Sequence, residues 1–346
     1  MFEHFDPDAP AEHDGLFGLP HARHDARVLV VPVPMDATTS FGQGTAHAPS
    51  AVLTASHQVD LSLPEFGDPW RAGIAMDAAP PGVESDCALA AANAPLARKG
   101  DTGALHRVNA ASERIAHALY EWTNGVLTSR QIPAVLGGDH SVPLGAIRAA
   151  ASHQPGLGIL HIDAHADLRE AYEGFEQSHA SIMYNVLQDT NVANILQIGL
   201  RDVGQREREF AEREDRLRWL TDAEIRRRTH RGEPMSEILL DGLQHLPETL
   251  WISFDVDGLD PSLCPAVELV VGRQEDDENA IHRLVSQVYD LARDDASLRQ
   301  EPSRFDDLRA HYPVRREFGH TTVQVTGGST ALRHQLAVLG FKVKQG

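Results

Sequence analysis

Short apolar runs recur along the chain, and each has the length of a buried strand. The clearest are RVLVVPV (27–33), IPAVLGG (132–138), GLGILHID (156–163), NILQIGLR (194–201) and LWISFDVD (250–257). These runs are nearly continuous and do not alternate with polar residues, which is typical of parallel strands that are covered on both faces. The pattern therefore predicts a mostly parallel sheet between layers of helices.

Stretches with helical periodicity lie between these runs. Residues 107–127 place apolar side chains on one stripe, and ASIMYNVLQ (180–188) has a similar spacing. Alternating strands and helices favour an α/β fold with three layers, α/β/α. The chain contains no repeat of solenoid period and no low-complexity linker. We expect a polar N-terminal extension over residues 1–26 and a single domain over residues 27–346.

The charge of the chain narrows the range of partners. It has 31 basic and 50 acidic residues, a formal net charge of −19, which opposes binding to nucleic acid or anionic membranes. The acidic excess either attracts a cationic small molecule or consists of carboxylates that are simply solvated. Its two cysteines form no CxxC motif, so neither a disulfide framework nor a thiolate zinc site is expected. The N-terminus has no signal-peptide pattern. These features predict a cytoplasmic protein without nucleic-acid or membrane partners.

Polar clusters follow three of the predicted strands. They are AVLGGDHS (134–141), ILHIDAHAD (159–167) and WISFDVDGLDP (251–261). Ligands bind at the carboxyl ends of the strands in open α/β sheets, so clusters that are distant in sequence can meet there. The sequence therefore predicts one site built from all three clusters.

Together the clusters offer a set of carboxylates and imidazoles that suits metal ions. A lone Asp-x-Asp after a strand is usually a turn or a helix cap, but three such clusters at three strand ends favour a metal site. The mixed nitrogen and oxygen set suits two divalent cations that share bridging carboxylates. Manganese fits best, and nickel, cobalt and iron are alternatives. The candidate ligands are His140, Asp163, His165, Asp167, Asp255 and Asp257.

The motifs GGDHS, DAHAD and SFDVDGLDPS resemble the three signature motifs of the ureohydrolase family, which contains arginases and agmatinases. PVPMDATTSFGQGTAHAPSAVLTAS (32–56) is similar to the N-terminal segment of agmatinase-type members. The resemblance covers about residues 28–265. It implies an arginase-like α/β/α fold, two Mn²⁺ ions per chain, and a homo-oligomer that is a trimer or a hexamer.

The resemblance also implies a role for each matching residue. His140 and Asp167 match ligands of the first ion, His165 and Asp257 match ligands of the second, and the remaining two aspartates match the bridging carboxylates, Asp163 and Asp255. A hydroxide held between the ions would attack the guanidinium carbon.

Two residues would then handle protons. The carboxylate of Asp167 would pass a proton to the leaving amine, and His179 matches the family's proton shuttle and substrate contact. As an alternative, His179 is only a residue near the start of a helix that begins at Ala180.

The sequence after DAHAD bears on the substrate. LREAYEGFEQSHAS (168–181) looks like agmatinase-type members and lacks the arginase segment that receives an α-amino acid head. The resemblance therefore favours hydrolysis of agmatine to putrescine and urea, with guanidinobutyrate, guanidine and arginine as alternatives. Thr38, Thr39 and Ser40 either line the substrate pocket or form a hydroxyl-rich turn.

The resemblance ends after Pro265. The chain continues AVELVVGRQEDDENA, and neither Glu268 nor Glu275 aligns with the family's guanidinium-binding glutamate. Residues 281–291 have a helical apolar stripe, and TTVQV (321–325) has the composition of a strand. Residues 266–346 are therefore either a divergent end of the family domain or unrelated sequence after a change of reading frame. This leaves a metal-binding pseudoenzyme as an alternative, and a deacetylase with one zinc ion as a third.

Overall fold

A computed structural model describes residues 5–40 and 42–259, together with residues 314–317 and 320–323. The chain divides into two compact units, residues 1–258 and residues 259–346. The strands of the first unit are β1 (Val28–Val33), β2 (Ile74–Met76), β3 (Ile132–Gly137), β4 (Gly158–Ile162), β5 (Ile195–Ile198), β6 (Leu217–Leu220) and β7 (Leu250–Phe254).

Every strand pairing described in the first unit is parallel. The strands pair in the orders β2-β1-β3 and β6-β5-β4-β7. All five apolar runs of the sequence form strands of these two sheets. The expected parallel arrangement is therefore confirmed.

Helices cover both faces of the sheets. They are α1 (Ala48–Ser56), α2 (Val83–Ala97), α3 (Thr102–Thr128), α4 (Leu144–His153), α5 (Ile182–Asp189), α6 (Gln205–Ala211), α7 (Asp222–His230) and α8 (Met235–Leu243). Ile195 of β5 shares a buried cluster with Ile182 of α5, whereas its neighbour Leu196 shares another with Ile238 of α8. Successive strand residues point to opposite faces, so the layers are helix, sheet and helix, as expected.

The apolar stripe predicted within residues 107–127 lies on α3. Val108, Ile115, Leu119 and Val126 are buried on one side of this helix. The helix begins after Asp101, whose side chain accepts a hydrogen bond of 2.8 Å from the backbone N–H of Ala104 and so caps the first turn.

The N-terminal segment and the second unit bear on the expected domain organisation. Within residues 1–26, Leu16 and Leu19 are buried, and the N–H of Phe17 donates to the Ser56 hydroxyl at 2.8 Å, so the second half of this segment packs on the fold. In the second unit β8 (Val314–Glu317) pairs antiparallel with β9 (His320–Val323), which overlaps the predicted strand at 321–325. The predicted helical stripe at 281–291 lies outside the described residues. The single domain over residues 27–346 stays a prediction.

The carboxyl ends of β4 and β7 lie side by side. Ile162 pairs with Phe254, and the backbone N–H of Asp255 donates to the Ile162 carbonyl at 2.9 Å. The loop after β3 approaches the segment after β1 so closely that a Cβ on Gly138 would lie 1.8 Å from the Met35 carbonyl oxygen. Only glycine fits there. These contacts fix the positions of the loops that carry the three polar clusters.

Candidate metal centre and active site

The structure brings the predicted ligands together beyond the ends of β3, β4 and β7. His140 is central to the first group of ligand atoms. Its Nδ1 lies 2.9 Å from Asp163 Oδ2, 3.1 Å from Asp167 Oδ2 and 3.4 Å from Asp255 Oδ2. One imidazole nitrogen thus faces three carboxylate oxygens.

A second group surrounds His165. Its Nδ1 lies 3.0 Å from Asp257 Oδ2 and 3.4 Å from Asp163 Oδ1. Asp163 therefore directs one carboxylate oxygen to each group, which is the arrangement that a bridging ligand needs. Potential ligand atoms of Asp163, His165 and Asp257 all lie within 4.8 Å of one another.

The donor set fits divalent cations. Both groups combine imidazole nitrogen with carboxylate oxygen, which suits manganese and related ions, and neither contains a thiolate. The first group, within the same 4.8 Å limit, also contains His161, which the sequence analysis does not predict. Asp255 joins that group through its contact with His140. The role of each residue as a ligand stays a prediction.

Backbone hydrogen bonds hold the carboxylates in place. The N–H of His165 donates to Asp163 Oδ1 at 2.6 Å, and the N–H of Ala164 donates to Asp257 Oδ1 at 3.0 Å. The N–H of Asp257 in turn donates to Asp255 Oδ1 at 3.0 Å. The loops after β4 and β7 are therefore tied to each other at the site.

Asp167 adopts an unusual backbone conformation. Its φ is +53°, in the left-handed region that non-glycine residues rarely enter. Its carbonyl accepts hydrogen bonds of 3.1 Å from the N–H groups of Met183 and Tyr184 at the start of α5. The chain thus curls away from the extended path of β4, which the spacing of the DAHAD motif requires.

The site is closed on one side and open on the other. The side chains of Asp163 and His140 are 1% and 8% exposed, whereas that of His165 is 41% exposed. A small molecule would therefore reach the site from the His165 side.

Burial and mutual charge change the pKa values of the cluster. Burial and the charge of Asp163 raise the pKa of Asp167 to about 8. Burial, with the charges of Asp163 and Asp257, raises the pKa of Asp255 to about 6 against the opposing effect of His140.

Two of the three histidines in the cluster, His165 and His140, bind protons more strongly than usual. Although burial opposes it, hydrogen bonds to Asp163 and Asp257 raise the pKa of His165 to about 11. Hydrogen bonds to Asp163 and Asp167 likewise raise the pKa of His140 well above its ordinary value, despite burial. The cluster without a metal therefore holds protons that cations would replace.

His179 lies at the start of a short 3₁₀ turn, His179–Ser181, that leads into α5. The cap of this turn is Ser178, whose hydroxyl accepts from the N–H of Ala180 at 3.1 Å. Burial lowers the pKa of His179, so its imidazole is neutral at neutral pH. Its role as a proton shuttle stays a prediction.

The three hydroxyl residues of the N-terminal motif differ in position. Thr38 is fully buried, and its hydroxyl donates to Asp139 Oδ2 at 2.8 Å and accepts from the backbone N–H of His179 at 3.0 Å. Thr39 is half-buried and donates to the Asp36 carbonyl at 3.0 Å.

Ser40 is exposed, and its hydroxyl lies 3.5 Å from His179 Nε2. It is the residue of the three that faces solvent beside His179. Contacts of all three with a substrate stay predictions.

Sequence reasoning missed two polar residues at the site, Asp139 and His161. Asp139 orients Thr38, and His161 bonds to Asp163. Both are buried polar residues within or directly after an apolar run, which is the signal that could have indicated them. Glu268 and Glu275 lie outside the described residues.

A model of the arginase family matches residues 26–272. The chain belongs to the arginase family. A second family model, described as a domain of unknown function (DUF3410), matches residues 264–340. The arginase match therefore ends close to the point where the family motifs end, and the second match covers most of the remaining chain.

Sequence relatives within the arginase family act on guanidino compounds according to their names. The chain is 34% identical over 257 residues to N(1)-aminopropylagmatine ureohydrolase from Thermus thermophilus, covering 73% of this chain and 75% of the relative. It is 25% identical over 243 residues to agmatinase from Bacillus anthracis, covering 70% and 71%. These names support a hydrolase that acts on C–N bonds of amidines.

Solved structures support the arginase fold. The agmatine ureohydrolase of Thermoplasma volcanium superposes with a TM-score of 0.56 at 20% identity, covering 73% of this chain and 74% of that one. A hypothetical agmatinase from Burkholderia thailandensis superposes with a TM-score of 0.56 at 21% identity, covering 75% and 73%. In the described part of the chain, no helix combines the length and apolar character that a membrane span requires.

Proposed function

We propose that this arginase-family chain hydrolyses a cationic guanidino compound, with agmatine as the favoured substrate and urea as one product. The observation that carries the proposal is the division of Asp163 between two groups of ligand atoms, with Oδ2 facing His140 and Oδ1 facing His165. A bridging carboxylate between two such groups is characteristic of sites that hold two divalent cations.

The two groups would hold one manganese ion each, with nickel or cobalt as alternatives. Asp163 and Asp255 would bridge the ions, and the other four predicted ligands would complete their coordination. When bound, the ions supply Lewis acidity and activate a water for attack on the guanidinium carbon.

The protein's own residues would then manage the protons. A carboxylate oxygen of Asp167 would carry a proton to the departing amine, which leaves well only when protonated. The neutral imidazole of His179 would exchange protons through Nε2, since its Nδ1 lies 3.4 Å from the Thr38 hydroxyl on the buried side. Ser40 beside Nε2 would contact the substrate or help to order water at the entrance.

The substrate class follows from the relatives and the charge. One named relative acts on aminopropylagmatine and another on agmatine, and both substrates carry an amine at the end opposite the guanidinium group. A net charge of −19 favours such cations over anionic molecules. Guanidinobutyrate, guanidine and arginine are alternative substrates.

A metal-binding pseudoenzyme is the second candidate. It is favoured by the region after residue 264, which matches a different family model where arginase-family members would continue. In that case the chain would bind the two ions without hydrolysing guanidino compounds.

Urea release by the full-length, manganese-loaded protein distinguishes these functions. The panel would contain aminopropylagmatine, agmatine, guanidinobutyrate, arginine and guanidine, with Asp255→Ala as the inactive control. We expect turnover of an amine-terminated substrate that is lost in the variant. No urea from any substrate, with two ions still bound per chain, would contradict the proposal and support the pseudoenzyme.

A further inference from the structure

A row of polar side chains crosses the sheet beneath the candidate metal centre. Trp219 of β6 pairs with Gln197 of β5, Gln197 pairs with His161 of β4, and His161 pairs with Ser253 of β7. Paired residues of neighbouring strands point to the same face. Gln197 and His161 are fully buried and Ser253 is nearly so, so each must find its hydrogen-bond partners within the protein.

Trp219 fixes the orientation of the Gln197 amide. An indole N–H can only donate, and that of Trp219 lies 2.6 Å from Gln197 Oε1. The amide nitrogen must therefore point the other way, where it lies 2.7 Å from the Ala166 carbonyl oxygen. Since a carbonyl oxygen can only accept, both neighbours require the same amide orientation.

The amide orientation in turn sets the tautomer of His161. The Gln197 nitrogen lies 2.8 Å from His161 Nδ1 and donates to it, so Nδ1 carries no proton. The proton of the neutral ring is then on Nε2, which lies 2.9 Å from Asp163 Oδ2 and donates to it. A protonated ring nitrogen has no free lone pair for a metal ion.

We propose that His161 is a positioning residue and not a metal ligand: Trp219 and Gln197 hold it as a donor to the bridging carboxylate of Asp163. The inference rests on the proposed two-metal site. By distance alone, His161 would be grouped with the ligands His140, Asp163 and Asp167. The donated bond restrains rotation of the carboxylate, so that Oδ2 and Oδ1 stay directed to different ions.

Ser253, at the other end of the row, contacts His140, a predicted ligand of the first ion. The hydroxyl of Ser253 lies 2.8 Å from His140 Nε2. If Nδ1 of His140 binds a metal ion, Nε2 carries the proton and donates to this hydroxyl. The same cross-strand row therefore orients one ligand of the first ion and the ligand shared by both ions.

The tautomer can be measured without metal or substrate. Nitrogen-15 NMR of the histidine-labelled, metal-free full-length protein distinguishes a protonated ring nitrogen from an unprotonated one, and the His161→Gln variant identifies the signals of this ring. We expect the proton on Nε2. A proton on Nδ1 would overturn the inference, whatever the outcome for the proposed function.

Manganese affinity measured by calorimetry tests the consequence. We expect His161→Leu to weaken Mn²⁺ binding by roughly 10–100-fold, the usual effect of removing a hydrogen-bond partner of a metal ligand. His161→Gln should restore much of the affinity, because its amide nitrogen can occupy the place of Nε2. Affinity of His161→Leu equal to that of the unaltered protein would overturn the inference, and so would a His161→Gln variant as weak as His161→Leu.

The role of the Trp219 indole can be tested with a matched control substitution. Trp219→Phe should lower the affinity, because the Gln197 amide then keeps only the Ala166 carbonyl to hold its orientation. Trp251→Phe removes an indole from the same hydrophobic cluster without removing a hydrogen bond to Gln197, so it should leave the affinity unchanged. Equal effects of the two substitutions would show that packing alone is responsible and would overturn the proposed role of Trp219. Failure of the unaltered protein to bind Mn²⁺ would instead contradict the proposed function.

Discussion

The hydroxyl of Thr38 links His179 to the interior of the protein. It donates to Asp139 Oδ2 and accepts from the backbone N–H of His179, and its oxygen also lies 3.4 Å from His179 Nδ1. Because the carboxylate takes the hydroxyl proton, the oxygen is available to accept from Nδ1–H. This arrangement leaves Nε2 of His179 as the proton acceptor on the open side.

Thr38→Val should therefore impair the proton shuttle. Valine keeps the shape of threonine but can neither donate to Asp139 nor accept from His179. We expect kcat for urea release to fall by roughly 10–100-fold, which is less than the about 10²–10⁴-fold that a whole positioned acid–base group contributes, with little change in KM.

Thr229→Val is the control for this substitution. Its hydroxyl donates to the Ile225 carbonyl within α7, so kcat should be retained. Normal kcat in Thr38→Val would contradict the role given to this hydroxyl.

The pKa values of the cluster predict a pH-dependent metal affinity. Without metal, Asp167 with a pKa of about 8 and His165 with a pKa of about 11 both hold protons at pH 7. Metal ions bind the deprotonated forms, so binding releases protons and strengthens as pH rises. By mass action, each proton released makes Mn²⁺ affinity increase about tenfold per pH unit.

Calorimetry in buffers of different ionisation enthalpy measures this proton release. We expect release at pH 7 and a smaller release above pH 8, where Asp167 has already lost its proton. An Mn²⁺ affinity that is constant from pH 6 to pH 8 would show that these groups are not the ligands.

At the scale of elements, the loop after β3 depends on glycine at position 138. A Cβ there would lie 1.8 Å from the Met35 carbonyl oxygen, so Gly138→Ala must displace either this loop or the segment after β1. We expect a loss of about 1–3 kcal/mol in the free energy of unfolding, together with weaker Mn²⁺ binding, because His140 follows two residues later.

Gly125→Ala is the matched substitution for this experiment. Gly125 lies in α3 with nothing within 4 Å of the added Cβ, so alanine should stabilise the protein by about 0.5–1 kcal/mol. Thermal and urea unfolding of both variants give the comparison. A Gly138→Ala variant as stable as Gly125→Ala would contradict the close packing of the loop.

Elements could be predicted from the sequence where the apolar pattern is strong. The five long runs form strands, and the stripe on α3 forms a helix. β2 and β6 were not predicted, because β2 has only three residues and β6 (Leu217–Leu220) contains an exposed arginine at position 218. Neither has the length or continuity of a recognisable apolar run.

The candidate site could likewise be predicted from the sequence only in part. The meeting of the clusters after β4 and β7 followed from parallel topology, because the carboxyl ends of strands in one sheet lie at one edge. The cluster after β3 follows a strand of the other sheet, so this rule alone does not place His140. The function of His161 depends on its pairing with Gln197, which is 36 residues away. Such a register is set by the whole sheet and cannot be read from either strand alone.

At the scale of the whole molecule, the net charge of −19 predicts an effect of salt on substrate capture. Agmatine carries two positive charges near neutral pH, whereas guanidinobutyrate is neutral overall. The kcat/KM for agmatine should fall as ionic strength rises from 0.01 to 0.15 M, where the Debye length shortens from about 30 to about 8 Å. Equal salt dependence for the two substrates would show that the molecular charge does not attract the cation.

The chain also joins two family matches, the arginase family over residues 26–272 and the domain of unknown function over residues 264–340. The second match begins close to Pro265, where the expected arginase motifs stop, and both interpretations of residues 266–346, a divergent end of the domain and a changed reading frame, stay predictions. The single domain, the trimeric or hexameric assembly and the cytoplasmic location stay predictions.

Manganese titration of the metal-free, full-length protein, followed by urea release from its best guanidino substrate, tests the two-metal account most directly. Asp163 faces both groups of ligand atoms, so activity should be absent without metal and reach its maximum at two ions per chain. Full activity at one ion per chain, or urea release from the metal-free protein, would contradict the account.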